Sequence, residues 1–317
     1  MRKLTVFANV CALMLGLACV QDVNAQWPQT TNRDIRFSVE LGSMAFDRPG
    51  IDSTAPVLSD SFTGRTLFNS EQATDLGTSF GAQVKLNFVN RRDREIEIRT
   101  SIVNWEEQAD FTGANLASPF FPTGLTTTPD EFEYNYESSY FSIEANRRRA
   151  VMPGVTIFAG PRFVSITDEI ETISTSTVGA IDLTQTDVFE ATNALIGLQA
   201  GFEFNFPVTH AINVQSFIRA GGYFNPTEFN TNSQNTFTTV TTSLSTDESI
   251  ESFLGEVGGR VSFDILPNCV TSYVGYEAIW IDGINLAPAN ATSTTAGLDT
   301  SNTVFFHAVN FGVQVLY

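Results

Sequence analysis

Ten stretches of the chain alternate apolar and polar residues with a period of two. That spacing puts successive side chains on opposite faces of a β-strand. In residues 35–41 the apolar set is Ile35, Phe37, Val39 and Leu41, with Arg36, Ser38 and Glu40 between them. In 80–88, Phe80, Val84, Leu86 and Phe88 alternate with Gln83, Lys85 and Asn87. The third stretch sets Ile96, Ile98 and Ile102 against Glu97, Arg99 and Ser101. The fourth, 134–145, sets Phe141, Ile143 and Ala145 against Tyr140, Ser142 and Glu144. Tyr134 and Tyr136 share the polar parity there, which suggests a bulge or an aromatic rim. Six further stretches follow, centred on Arg162, Glu203, Arg219, Arg260, Glu277 and Gln314.

The connections between these stretches also alternate. Those at 90–93, 146–153, 207–210 and 266–269 are short. Those at 47–76, 106–132, 168–189, 226–250 and 283–302 are long and rich in Thr, Ser, Asn, Asp and Pro. Strict long–short alternation with an even strand count puts both ends of the sheet on the short-turn side. This is the arrangement of an all-β, antiparallel transmembrane β-barrel with long extracellular loops and short periplasmic turns. About ten strands are expected, with eight to twelve allowed, because 47–76 and 226–250 have room for another hairpin. A soluble sandwich has the same alternation on half-buried strands but no reason to alternate its loop lengths.

Of the 317 residues, 42% are hydrophobic and 16% charged, which is little charge for a soluble protein. No stretch after the N-terminus approaches the run of about 18 apolar residues that a membrane helix needs. At the N-terminus itself, Arg2 and Lys3 precede an apolar run, 4–20, and Val23-Asn24-Ala25 fits a small-residue cleavage rule. The expected division is therefore a cleaved signal peptide at 1–25, a short segment at 26–33 and the barrel at 34–317. Cys11 and Cys19 leave with the signal, so Cys269 stands alone and no intrachain disulfide forms. A closed hydrogen-bonded barrel does not need one.

The formal charge is −18; the signal's Arg2, Lys3 and Asp22 sum to +1, so the remaining chain carries −19. That argues against a nucleic-acid partner, which requires a basic face. Arg91, Arg92, Arg94, Arg147, Arg148 and Arg149 sit at two of the short turns, whereas the long loops hold only Arg48 and Arg65 as bases. An acidic mouth follows, suited to divalent cations that bridge to anionic lipid, or to an entry field for cations.

The polar faces carry Arg36, Glu40, Lys85, Glu97, Arg99, Glu144, Arg162, Glu203, Arg219, Glu256, Arg260 and Glu277. These are the expected lumen-lining residues. Either they pair across strands and fill the lumen, or they line a narrow polar pore. Trp105, Trp280, Tyr134, Tyr136, Tyr223 and Phe305 fall near strand ends and read as interfacial girdles. Glycines within strands, Gly255 among them, read as bends, bulges or places an aromatic ring covers. Phe311, Val313, Val315 and Tyr317 place apolar residues at every second position up to an aromatic last residue. That resembles the C-terminal signal read by the outer-membrane insertion machinery.

No HExxH, CxxC, P-loop, dinucleotide-glycine or GxSxG motif occurs, and no cofactor or metal site is expected. His307 with Asp282 or Asp168 is the one candidate for a rim hydrolase, and a lone His beside many acids is more often structural.

Several segments from Gly160 onward resemble one family. They are the run from Thr192 to Gly201, Arg219-Ala220-Gly221-Gly222-Tyr223-Phe224-Asn225, Phe253-Leu254-Gly255-Glu256-Val257-Gly258, and Trp280-Ile281-Asp282-Gly283-Ile284-Asn285-Leu286-Ala287-Pro288. Phe306-His307 followed by Gly312 belongs with them, and Gly160-Pro161-Arg162-Phe163 agrees less fully. Together they resemble the planctomycete β-barrel porins, seventh of the numbered β-barrel porin series. The resemblance implies an outer-membrane location and a pore role, without a substrate or a catalytic set. Two functions fit these expectations. One is a small porin for passive passage of ions or small solutes. The other is a plugged structural or adhesin-like barrel whose acidic loops bind an external partner.

Overall fold

The computed structural model describes residues 35–49, 56–90, 95–114, 116–118, 129–236, 241–266, 269–291 and 298–316. The expected signal peptide and the segment at 26–33 lie outside the described residues. Ten strands close into an antiparallel barrel. They are β1 (Ile35–Arg48), β4 (Gly77–Asn90), β5 (Glu95–Thr112), β7 (Glu131–Met152), β8 (Val155–Val178), β9 (Ile181–Pro207), β10 (Ile212–Asn235), β11 (Thr241–Leu266), β12 (Val270–Ile284) and β13 (Asn302–Leu316). Each pairs with its sequence neighbours in the barrel, and β13 closes the ring on β1, with Val39 opposite Val315. The count is the ten expected.

The outward parity of the strands is apolar in a belt. Ile96, Ile143, Leu198, Phe202, Phe224, Val274 and Phe311 are all exposed. A band of this kind on a closed barrel is what contact with lipid tails requires. On β11, Gly255 lies under the Trp280 ring of β12, where a methyl group would collide with the indole. This is aromatic cover of a strand glycine, as its position suggests.

The long loops differ from expectation. The segment 168–189 is almost wholly strand: β8 runs to Val178, and β9 starts at Ile181. Gly179, with φ +69°, makes the two-residue turn that L-residues with side chains resist. In 226–250, β10 runs to Asn235 and β11 starts at Thr241; in 106–132, β5 runs to Thr112 and β7 starts at Glu131. The physical reason is that these strand ends stand beyond the bilayer. With water outside, an outward residue need not be apolar, so the hydrophobic alternation disappears. Threonines and other β-branched residues still favour strand. A membrane crossing takes about 9–11 residues, so strands of 18–27 residues, β5 and β7–β11, project as a tall wall on one side.

The first long loop does contain a hairpin, but outside the barrel wall. There β2 (Pro56–Asp60) pairs with β3 (Thr66–Asn69), which leads into the short helix α1 (Ser70–Thr74), and β6 (Leu116–Ala117) from the second long loop joins β2 to make a separate three-stranded sheet. Asn69 caps α1 by accepting from the Gln72 backbone, while the Gln72 side chain accepts from the Asn69 backbone. Asp60 accepts from the backbone N–H of Thr63 and Phe62, which holds its carboxyl below the usual range. The last long loop contains α2 (Ala287–Ala291).

Four of the expected girdle aromatics are inside. Trp105, Tyr134, Tyr136 and Tyr223 are all buried, whereas Phe305 is exposed and Trp280 half-buried. No bulge intervenes on β7 between Phe132 and Arg148, which keep one inward parity; the register shifts only at the turn end, between Ala150 and Met152. The inward face simply changes from charged to aromatic along the strand.

Candidate functional site: a lumen filled in two layers

The turn-side half of the lumen is ionic. Pairing places Glu40, Lys85, Arg99, Glu144 and Arg162 on one row across β1, β4, β5, β7 and β8. Side chains of β10, β11 and β12 reach this row from across the barrel. Arg99 meets Glu144 at 3.1 Å, Glu256 at 3.0 Å and Glu277 at 3.5 Å. Arg162 meets Glu256 at 3.0 Å, and Arg219 meets Glu144 at 2.6 Å and also pairs with Glu256. Three guanidiniums and three carboxylates thus share one buried cluster. Gln199 donates to Glu144 at 2.9 Å and to Asn146 at 3.0 Å. Arg162 also donates to Ser142 and to the Tyr140 hydroxyl.

Two smaller clusters flank this one. Glu40 takes Lys85 at 3.0 Å and Arg260 at 2.7 Å. Arg148 takes Glu97 at 2.8 Å, Glu203 at 2.6 Å and Glu95 at 3.1 Å. A cavity of about 50 Å³ lies among these groups, lined in part by Lys85, Glu97, Arg148, Glu203, Arg260 and Glu277. Unpaired charge would be costly in such a place, and mutual neutralisation removes most of that cost.

Eleven of the twelve charged residues singled out in the sequence therefore meet inside the barrel. Arg36 lies in β1, and its side chain is outside the described residues. Sequence reasoning missed Arg148, which was grouped with the exposed turn arginines. Its parity with Glu144 was the available signal. It also placed Arg48 and Asp168 in loops.

Beyond the ionic layer the lumen is crossed by a layer of aromatic rings. Phe46 of β1, Trp105 of β5, Tyr140 of β7 and Phe306 of β13 come together across the barrel. Trp105 stacks on Phe306 at 5.5 Å between centroids, and Tyr140 lies 5.7 Å from Phe306. Phe46 touches the other three rings at 5.9–6.3 Å. Tyr140 joins the two layers, because its hydroxyl accepts from Arg162.

Above the rings sits a second ion pair. Arg48 is forked onto Asp168 at 2.7 and 3.0 Å, and the Ser138 hydroxyl donates to the same carboxylate at 2.6 Å. The Arg48 guanidinium lies over Tyr136 and Phe306 at 5.6 and 5.9 Å. Arg48 ends β1, so this pair ties the start of the first loop to β8.

The two capping loops then fold inward. Phe68 of β3 packs on Phe111 and Tyr134, and the Tyr134 hydroxyl donates to the Ala73 carbonyl of α1 at 2.9 Å. The α2 loop is held by three asparagines. Asn193 donates to the Asn285 carbonyl at 2.7 Å, and its own side-chain oxygen accepts from the Asn285 backbone at 2.9 Å. Asn225 donates to that same Asn193 oxygen, and Asn285 donates to the Glu228 carbonyl. Leu286 and Ala287 are fully buried beyond them. These residues belong to the segments that carry the family resemblance. Their local role is to pin a loop into the barrel mouth.

The rim-hydrolase constellation does not form: Asp282 shares the outward face of His307 but lies four positions along β12 from the residue opposite that histidine and accepts from Thr303 instead. His307 has the outward parity of Phe305 and Val309 and pairs with the Tyr276 hydroxyl; Asp168 points inward to Arg48. Among the described residues, no group of three His, Cys, Asp or Glu could hold a metal ion.

Outside the barrel, register sets Glu106, Glu137, Glu169 and Glu190 in one row across β5, β7, β8 and β9. Partial burial and the flanking Glu190 and Glu137 raise the Glu169 carboxyl above its usual range. A carboxyl raised on folding weakens the fold as pH rises through that raised range, and the loss is complete above it. Glu169→Gln is therefore expected to slow amide exchange in the wall strands at neutral pH and to flatten its pH dependence. Unchanged exchange would show that the row carries no strain.

The fold defines the class: a ten-stranded antiparallel transmembrane β-barrel. No protein-family model and no curated protein matches the chain. Among solved structures it is similar to the outer-membrane protease OmpT of Escherichia coli, at 7% identity and TM-score 0.45, over 92% of this chain and 99% of that one. It is also similar to the translocator domain of the autotransporter NalP of Neisseria meningitidis, at 8% identity and TM-score 0.41, over 98% and 96%. A major outer membrane protein of Thermus thermophilus is similar at 11% identity and TM-score 0.30, over 89% and 99%. At these values the likenesses carry nothing about activity.

Proposed function

We propose that the protein is an outer-membrane barrel that passes no solute and acts through its projecting wall and outer loops, which bind an external partner. The observation that carries this reading is the lumen itself. Three ion-pair clusters, a four-ring aromatic layer and two inward-folded loops succeed one another along the barrel axis. A passive porin, the role implied by the family resemblance, requires a continuous polar path. The ionic layer has the lining for one, and the four-ring layer between it and the Arg48–Asp168 pair interrupts that lining.

Outer-membrane residence belongs to this proposal, as does membership of the planctomycete family. Export would follow from the segment 1–25. Insertion would be guided by β13 through Phe311, Val313, Val315 and Tyr317, the last outside the described residues. The glutamate row and the acidic loops would meet lipid phosphates through divalent cations.

The test is a planar bilayer with insertion confirmed separately. The expected result is no steady single-channel current in a salt gradient. Steps of constant amplitude with an ion-selective reversal potential would overturn the closed reading and restore the porin.

A further inference from the structure

The lipid-facing surface carries a groove of about 800 Å³ on β7 to β10. Register places Arg147, Ala159, Ala200 and Ala220 on one outward row across those four strands. The adjacent row toward the turns is Arg149, Ile157, Phe202 and Ile218. Three successive alanines thus make a trough beside a ridge of large side chains. On the row above, Leu198 is exposed between Pro161 and Gly222. Past Ala220 the row continues to Gly255, and the Trp280 indole over that glycine closes the end.

The trough runs obliquely through the membrane. Arg147 lies 5 residues from the Met152 end of β7, whereas Ala220 lies 8 residues from the Ile212 start of β10. The arginine end is therefore near the turn-side membrane edge, and the closed end is deeper in the apolar belt. Inter-strand spacing of about 4.8 Å makes the three steps from β7 to β10 about 14 Å long.

Arg147 and Arg149 are exposed, and among the described residues neither has a carboxylate within ion-pair distance. Arg148 between them points inward and is ion-paired with Glu95, Glu97 and Glu203. Two guanidiniums with no carboxylate partner among the described residues, on a lipid-facing wall, attract an anion from outside the protein. At that depth the available anion is a lipid phosphate.

We propose that this groove binds an anionic glycerophospholipid. Its phosphate lies between Arg147 and Arg149, and one acyl chain follows Ala159, Ala200 and Ala220 to Trp280. The planar guanidiniums suit a phosphate, and the small side chains leave the chain's width free. The site depends on the membrane-spanning wall and not on whether the lumen conducts.

The experiment uses the whole chain folded into vesicles of equal phosphatidylglycerol and phosphatidylcholine. The protein is then extracted in mild detergent, and retained lipid is counted by native mass spectrometry. Each variant is first shown to be folded by its heat-dependent gel migration. Phosphatidylglycerol is expected to be retained in preference to phosphatidylcholine. The Arg147→Gln/Arg149→Gln pair should abolish that preference. Ala200→Leu, which fills the trough from the lipid side, should reduce retention of both lipids. Equal retention by the unsubstituted chain, or an unaltered preference in the arginine variant, would overturn the headgroup site. Retention unaffected by Ala200→Leu, together with full displacement by inorganic phosphate, would overturn the lipid as ligand and leave only a phosphate contact.

Discussion

Glu256→Gln is expected to destabilise the barrel by about 3–5 kcal/mol, the cost of breaking a buried ion pair from one side. Glu256 is fully buried and accepts from Arg99, Arg162 and Arg219. The substitution is nearly isosteric, so packing hardly changes. What changes is charge: three guanidiniums then share Glu144 and Glu277 alone. An amide also offers donors where three donors already converge. Urea titration of the folded barrel in vesicles, read by gel migration, measures the effect. A loss below about 1 kcal/mol, the value of an exposed pair, would mean that water reaches the cluster and screens it. That result would also weaken the closed-lumen reading, because a wet cluster implies a wider path.

Arg48→Met should cost a similar amount, about 3–5 kcal/mol, for a different reason. It leaves Asp168 with only the Ser138 hydroxyl, and both partners of the pair are at most 4% exposed. The guanidinium also covers Tyr136 and Phe306, so some ring contact is lost with it. The second variant separates charge from packing. Arg48→Met with Asp168→Leu removes both charges and should recover much of the loss, since buried pairs are often replaceable by apolar residues. Failure of the double variant to recover would assign the cost to packing instead. Because Arg48 ends β1 before the first loop, the single variant should also make residues 56–76 more open to protease.

The sequence alone pointed to a barrel of about ten strands, with eight to twelve allowed, and to a set of charges on its polar face that left out Arg148, Arg48 and Asp168. These follow from side-chain periodicity, which lipid outside and a polar lumen inside impose on every crossing strand. The regular exchange of short and long connections set which end faces the turns. It did not determine the true strand lengths. Once a strand leaves the bilayer, neither face need be apolar, and Thr172, Ser174 and Ser176 read as loop although they stand in β8. Nor did it separate Arg148 from Arg147 and Arg149, since a run of arginines hides its parity.

Only the tertiary structure decided which charges meet. Arg99 and Glu256 are 157 residues apart and come together because the barrel brings β5 opposite β11. The same holds for the aromatic layer. Of Phe46, Trp105, Tyr140 and Phe306, only Trp105 reads in the sequence as a strand-end ring, and closure alone brings the four strands around one axis. Whether the lumen is open or filled is therefore a property of the closed ring: filling requires residues from strands that share no local sequence. The lipid-facing trough has the same origin, because its alanines come from three strands and only register aligns them.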